Sequence, residues 1–186
     1  ISSWDGEFHQ ASEDVQPLPF AEMRDNYGLI NGRGYPDTAD ARGLDFPATP
    51  RSGANLDNTA SPFGHLKTSQ PQSSLITVDK ATEPRLLLPL SNLSITTVFT
   101  VAATLGAPME VVGKDQRRLR GGGEAGGTDF SCETNSVTMG GGETVDVIVD
   151  VSSVPAGTYF LYATELNYLS NDPEDFGGIM TEIVVN

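Results

Sequence analysis

Residues 135–164, NSVTMGGGETVDVIVDVSSVPAGTYFLYAT, carry the pattern that decides the fold. Val145, Val147 and Val149 alternate with Asp146, Ile148 and Asp150, and a period of two turns one face of a strand inward and leaves the other wet. A helix, with its longer period, would scatter those valines around its axis. Gly140, Gly141 and Gly142 supply a tight turn before that strand, and Pro155-Ala156-Gly157 supplies another before Thr158-Tyr159-Phe160-Leu161-Tyr162. The stretch therefore predicts strand, turn, strand, turn, strand, arranged as an antiparallel meander.

The same punctuation recurs in both directions along the chain. Residues 74–79 (SLITVD), 85–93 (RLLLPLSNL), 96–103 (TTVFTVAA) and 109–113 (MEVVG) each predict a strand, and 178–186 (GIMTEIVVN) predicts a closing one. Pro89 lacks an amide donor, so it belongs at an edge, a bend or a bulge. Near the start, 28–33 (GLINGR) is a short apolar strand ending on Asn31-Gly32, a turn signal. Residues 1–27 place Trp4, Phe8 and Phe20 between acids and prolines, which suits an opening strand followed by an irregular covering arm. From 36 to 72 the chain turns to Pro, Gly, Ser, Thr, Asp and Asn, and reads as a long irregular loop, a feature that in compact domains is functional or disordered. No amphipathic helical pattern of three turns occurs, so the expected class is all-β, with about eight to ten strands at the spacing of a Greek-key sandwich or barrel. The expected organisation is one domain over 1–186: 1–35 as arm and first strand, 36–72 as the loop, and 73–186 as the main sandwich.

Composition narrows the partners. With 25 acids against 11 bases the chain carries a net charge of −14, which repels the nucleic-acid backbone and anionic lipid alike. No apolar run approaches the roughly 18 residues of a membrane-spanning helix. Nucleic acid and membrane insertion are thus excluded as expectations. Ile1 in place of a starting methionine suggests a processed chain or a piece of a longer one, and one cysteine, Cys132, excludes an internal disulfide.

The order LLLPLSNL, MEVVGKD, GGGETVDVIVD and GTYFLYAT resembles the cupredoxin-like domains of multicopper oxidases, the laccase-like family. In that pattern an apolar strand ends on an asparagine, here Asn92, a later strand leads to an aspartate, here Asp115, and a glycine turn precedes a strand of the form found at Asp146–Val149. The segment LINGRGYPDT is similar to the strand that begins the family's middle domain, and only 36–72 has no counterpart. Copper-bearing members place His-Cys-His on the strand after the Gly-Thr-Tyr turn and a methionine before the closing strand. Here that strand reads Tyr162-Ala163-Thr164, with Ala163 near the position of the cysteine, and Met180 alone matches. A thioether without thiolate and imidazole does not hold type 1 copper. The trinuclear site needs His-x-His pairs, whereas His9 and His65 stand far apart. The resemblance therefore implies the copper-free middle domain of a secreted or periplasmic multicopper oxidase. Such a domain would space the copper domains and wall the cleft while the parent couples one-electron oxidation of phenols or metal ions to dioxygen reduction. It implies no catalytic or cofactor-binding residue and no cofactor in this chain, which alone would be inactive, with copper in neighbouring domains. The expected partners are flanking copper-bearing cupredoxin domains or subunits, together with self-association. The alternative is a stand-alone extracellular binding or assembly module on the same fold, without redox activity.

Several residues have both a chemical and a plain interpretation. Cys132, with no histidine nearby in sequence, is expected to be a small buried side chain rather than a copper or redox thiol. His9 and His65 are expected to be solvated or hydrogen-bonded. Asp172, Glu174 and Asp175 concentrate oxygen ligands in one turn and are the only metal candidates, although the ligand spacing and central glycine of an EF-hand loop are missing. Lys114, Arg117, Arg118 and Arg120 form the basic cluster, suited to an acidic neighbouring face or to a solvated loop. Asn92-Leu93-Ser94 is a glycosylation sequon within an expected core strand.

Overall fold

The computed structural model describes residues 1–4, 27–35, 37–39, 73–121, 127–170 and 178–186. They form two compact units, one of Ile1, Ile76–Thr164 and Ile183–Asn186, the other of Ser2–Leu75 and Glu165–Glu182. Among the described residues strands dominate, as expected: β1 (Ser2–Trp4), β2 (Tyr27–Leu29), β3 (Ile76–Val78), β4 (Arg85–Ser91), β5 (Phe99–Ala103), β6 (Met109–Lys114), β7 (Arg117–Arg118), β8 (Cys132–Thr134), β9 (Ser136–Met139), β10 (Thr144–Asp150), β11 (Gly157–Ala163) and β12 (Met180–Val185). Single 3-10 turns form at Asp37–Ala39 and Leu166–Tyr168.

The first unit is built from two five-stranded sheets, one in the order β4-β10-β6-β7 with β8 also on β6, the other β3-β12-β11-β5-β9. Their facing sides share one core, in which Leu88, Leu90, Met109, Val145, Val147 and Val149 meet Val101, Val137, Met139, Leu161, Ile183 and Val185. The valines of β10 are buried and Asp150 is exposed, as the alternation predicts. Burying each such valine contributes roughly 1.5–3 kcal/mol.

The expected meander is wrong in its pairing. Strands β9 and β11 lie in one sheet while β10 lies in the other, between β4 and β6. Asp150 pairs with Arg85 and Val145 with Lys114, so the partners of β10 come from 31 or more residues away in the chain. Turn residues announce that the chain reverses, but a reversal between two sheets of a sandwich uses the same glycines as a hairpin within one sheet. The core satisfies the valines of β10 in either arrangement. The segment 130–137 likewise divides at Asn135, with β8 on β6 and β9 on β5. Pro89 sits where its missing amide is tolerated, on β4 at the sheet edge.

In the second unit β1 and β2 pair antiparallel, and Ile30 and Arg33 exchange both backbone hydrogen bonds at 2.8 and 3.0 Å around Asn31-Gly32. Both turn residues have positive φ, 51° and 78°, the geometry that favours Asn-Gly. The expected arm over 5–26 and most of the 36–72 loop lie outside the described residues.

Candidate functional site

The strand where the resemblance would put a thiolate is β11, and its last residue, Ala163, is completely buried opposite Val101 of β5. Tyr162 beside it is half-buried and Thr164 is exposed, its amide donating to the Thr100 carbonyl at 2.8 Å. A methyl group at position 163 offers no lone pair. The chain's one thiol, Cys132, is on β8 in the other sheet, opposite Val111, and it is exposed. That corrects the expectation of a buried cysteine: β8 is a three-residue strand, and nothing among the described residues covers its outer edge. In the second unit Met180 opens β12 half-buried, and its carbonyl accepts the Thr38 hydroxyl at 2.6 Å. Neither Ala163 nor the remote Cys132 thus supplies a thiolate at this place on β11.

His9, His65, Asp172, Glu174 and Asp175 lie outside the described residues. Among the described residues no three of His, Cys, Asp and Glu come together as a metal-binding group. A depression of about 500 Å³ opens between Gly106–Pro108 and Glu133–Asn135, and Glu133 is the one ionisable residue on its wall.

The basic cluster is not a loop. Lys114 closes β6, Asp115 and Gln116 turn with φ of 48° and 64°, and Arg117 and Arg118 return as β7, so the segment is a two-residue hairpin. Lys114 pairs with Glu143 at 3.4 Å, and Arg120 pairs with Asp129 at 2.7 Å. Hydrogen bonds from Ser131, with the nearby Arg120 charge, hold the Asp129 carboxyl below its ordinary value. Ser152 does the same for Asp150, more strongly than the Arg85 charge.

The most connected polar residue is Asn92, whose role in the sequence was only to end a strand. It is fully buried, and its Nδ2 donates to the carbonyls of Thr97 at 2.8 Å and Met139 at 2.9 Å. Its Oδ1 accepts from the Ser94 amide at 2.9 Å and the Ser94 hydroxyl at 2.7 Å. The backbone joins in, with Asn92 N–H bonded to Glu143 O at 3.0 Å and Gly142 N–H to Asn92 O at 2.8 Å. Gly141 packs so closely here that a Cβ on it would stand 2.5 Å from the Ser94 carbonyl oxygen. Asn92 thus fixes the loop 92–98 to the turn at 140–143, and its buried amide is no acceptor for a glycan in the folded chain.

In the second unit Tyr35 donates its hydroxyl to Glu182 at 3.2 Å, and burial together with that carboxylate raises the phenol above its ordinary value. Thr181 donates to the Ser74 carbonyl at 2.9 Å, and Asn31 to the Ser74 hydroxyl at 3.1 Å. Ser74 thus links the Asn31-Gly32 turn to Thr181 of β12.

No protein-family model and no curated protein matches the chain. Solved structures similar to it include the blue copper oxidase from Nitrosomonas europaea, with 22% identity over 63% of this chain and a TM-score of 0.49. A bacterial laccase-like multi-copper oxidase from Ochrobactrum sp. matches 60% of the chain at 18% identity and a TM-score of 0.43. A multi-copper oxidase from Pseudomonas thermotolerans matches 60% at 15% identity and 0.42. The chain spans 34%, 21% and 22% of these three proteins' own lengths.

Proposed function

We propose that this chain is a structural, copper-free cupredoxin-like domain, the middle one of a secreted or periplasmic multicopper oxidase. One observation carries the reading: the place on β11 where a type 1 thiolate would stand holds the buried methyl of Ala163, and the only thiol in the chain is exposed on a strand of the other sheet. What the domain keeps is the scaffold, in the Asn92 network and the valine face of β10. Its role is to space copper-bearing neighbours and to wall part of the substrate cleft. The parent takes electrons one at a time from phenols or reduced metal ions and passes them to dioxygen, with every electron-carrying group outside this chain. Sequencing the coding region on both sides tests this: His-x-His pairs and a cysteine-bearing ligand strand are expected there, and flanks without them overturn the proposal.

A second reading, a stand-alone extracellular binding module, draws on the exposed aliphatic loop after β4, where Leu93 and Ile95 are each 72% exposed. An export signal directly before Ile1 and a stop codon after Asn186 would select it.

A further inference from the structure

Two patches on the β4-β10-β6-β7 sheet complement each other. At the end where β4 finishes and β10 begins, the loop 92–98 holds Leu93, Ile95 and Val98 out in solvent, at 72%, 72% and 53% exposure. The loop is anchored from beneath by Asn92 and Ser94, whose hydroxyl oxygen lies 2.6 Å from the Thr97 carbonyl, an alternative acceptor for its one proton. Leu90 lies opposite Val145 and Val145 opposite Lys114, so the β6–β7 hairpin tip projects from the same end of the sheet. Lys114, Arg117 and Arg118 are exposed there, and the last two have no ion-pair partner among the described residues. The two acids at this end are both engaged: Asp115 accepts the Thr144 amide at 3.0 Å, and Glu143 accepts the Gly140 amide at 2.7 Å and pairs with Lys114. This end is therefore aliphatic with a basic rim, on a chain whose net charge is −14.

The outer face of the same sheet has the opposite character. Leu87, 59% exposed, stands opposite Ile148, and Pro89 stands opposite Asp146. Around them lie Glu110 opposite Ile148, Glu133 opposite Glu110, and Asp150. Two cations share this face with the four acids: Arg85, opposite Asp150 and paired with Glu110 at 3.6 Å, and Arg118, opposite Gly113 at the margin nearest the hairpin. The face is an aliphatic centre ringed by acids.

We propose that copies of this chain associate head to tail, with the loop 92–98 and the Lys114–Arg118 hairpin of one copy seated on the acid-ringed face of β4, β10 and β6 of the next. The two patches match in sign and in apolar content, which favours register and suppresses wrong partners. Because the contact joins two different patches it is heterologous, and copies add in a row or close into a ring. Repulsion between whole molecules acts over a screening length of about 8 Å at physiological salt, so contacting charges outlast it. Nucleic acid fits this end poorly, because neither segment carries an aromatic ring on which bases stack.

Sedimentation velocity at physiological salt, from micromolar to submillimolar chain, tests the proposal. The 19.7 kDa chain is expected to sediment as a monomer at the low end and to at least double its weight-average mass at the high end. Ile95→Asp on the loop and Leu87→Asp on the face, both at exposed positions and checked for unchanged thermal unfolding, are each expected to remain monomeric. Mixed together they are expected to form a one-to-one pair, because each still carries one intact patch. A wild-type chain that stays monomeric throughout, association that survives either substitution, or a mixture that fails to pair overturns the proposal. Ile95-dependent binding to phosphatidylserine vesicles without self-association would also overturn it, assigning the end to lipid.

Discussion

At the scale of single residues, Asn92 and Gly141 are the positions on which the β-sandwich is most sensitive. Asn92 makes four side-chain hydrogen bonds while fully buried, so Asn92→Ala takes the side-chain partner from the Met139 carbonyl and the Ser94 amide, while the Ser94 hydroxyl keeps the Thr97 carbonyl. Each buried orphan costs about 1–3 kcal/mol, and the expected loss is about 3 kcal/mol in urea unfolding. Asn92→Asp is expected to fail as a replacement because a carboxylate donates nothing to the Thr97 and Met139 carbonyls. A loss below about 1 kcal/mol for Asn92→Ala would contradict the network. Gly141 and its neighbour make a controlled pair. A Cβ at Gly141 meets backbone at 2.5 Å, whereas one at Gly140 meets only the flexible Glu143 side chain at 3.5 Å. Gly141→Ala is therefore expected to destabilise by about 2 kcal/mol, and Gly140→Ala by under about 1 kcal/mol, in the same assay.

Elements show where sequence suffices and where it stops. The inward face of β10 was legible because Val145, Val147 and Val149 declare themselves at a period of two, and Pro89, with no amide to give, announced an edge, a bend or a bulge, of which the structure has the edge. The partners of β10 were not legible, since strand pairing is set by the packing of two sheets and leaves no local trace. Asn92 was seen as the end of a strand, but its bond to Met139 spans 47 residues and has no sequence signature. The Ala163 position was read from the pattern itself, and the structure adds that the side chain is buried. Exposure of Cys132 was misjudged because the burial of a cysteine depends on whether a neighbour covers its strand. Two tests belong at this scale. Gln116 holds a φ of 64° in the β6–β7 turn, a region that only glycine occupies freely, so Gln116→Gly is expected to stabilise by about 0.5–1 kcal/mol in thermal unfolding. Asp150 has its carboxyl held below the ordinary 3.8 by Ser152, so its contribution to stability is present above that value and is lost as pH falls through it. Asp150→Asn is expected to flatten the acid limb of a stability-versus-pH profile below pH 3.8, and an unchanged limb would show that the Ser152 contact is not made in solution.

For the molecule as a whole, one shared core between two sheets predicts that the first unit unfolds in a single transition. Cys132→Ser, at an exposed edge, should leave that transition within about 0.5 kcal/mol. The proposed function has this chain keep a cupredoxin-like scaffold without the ligands of a type 1 site. The direct measurement is copper loading of the purified chain, with metal quantified after dialysis and the visible spectrum recorded. No stoichiometric copper and no blue thiolate-to-copper absorption are expected, with or without Cys132→Ser. One equivalent of retained copper with an intense blue band would contradict it.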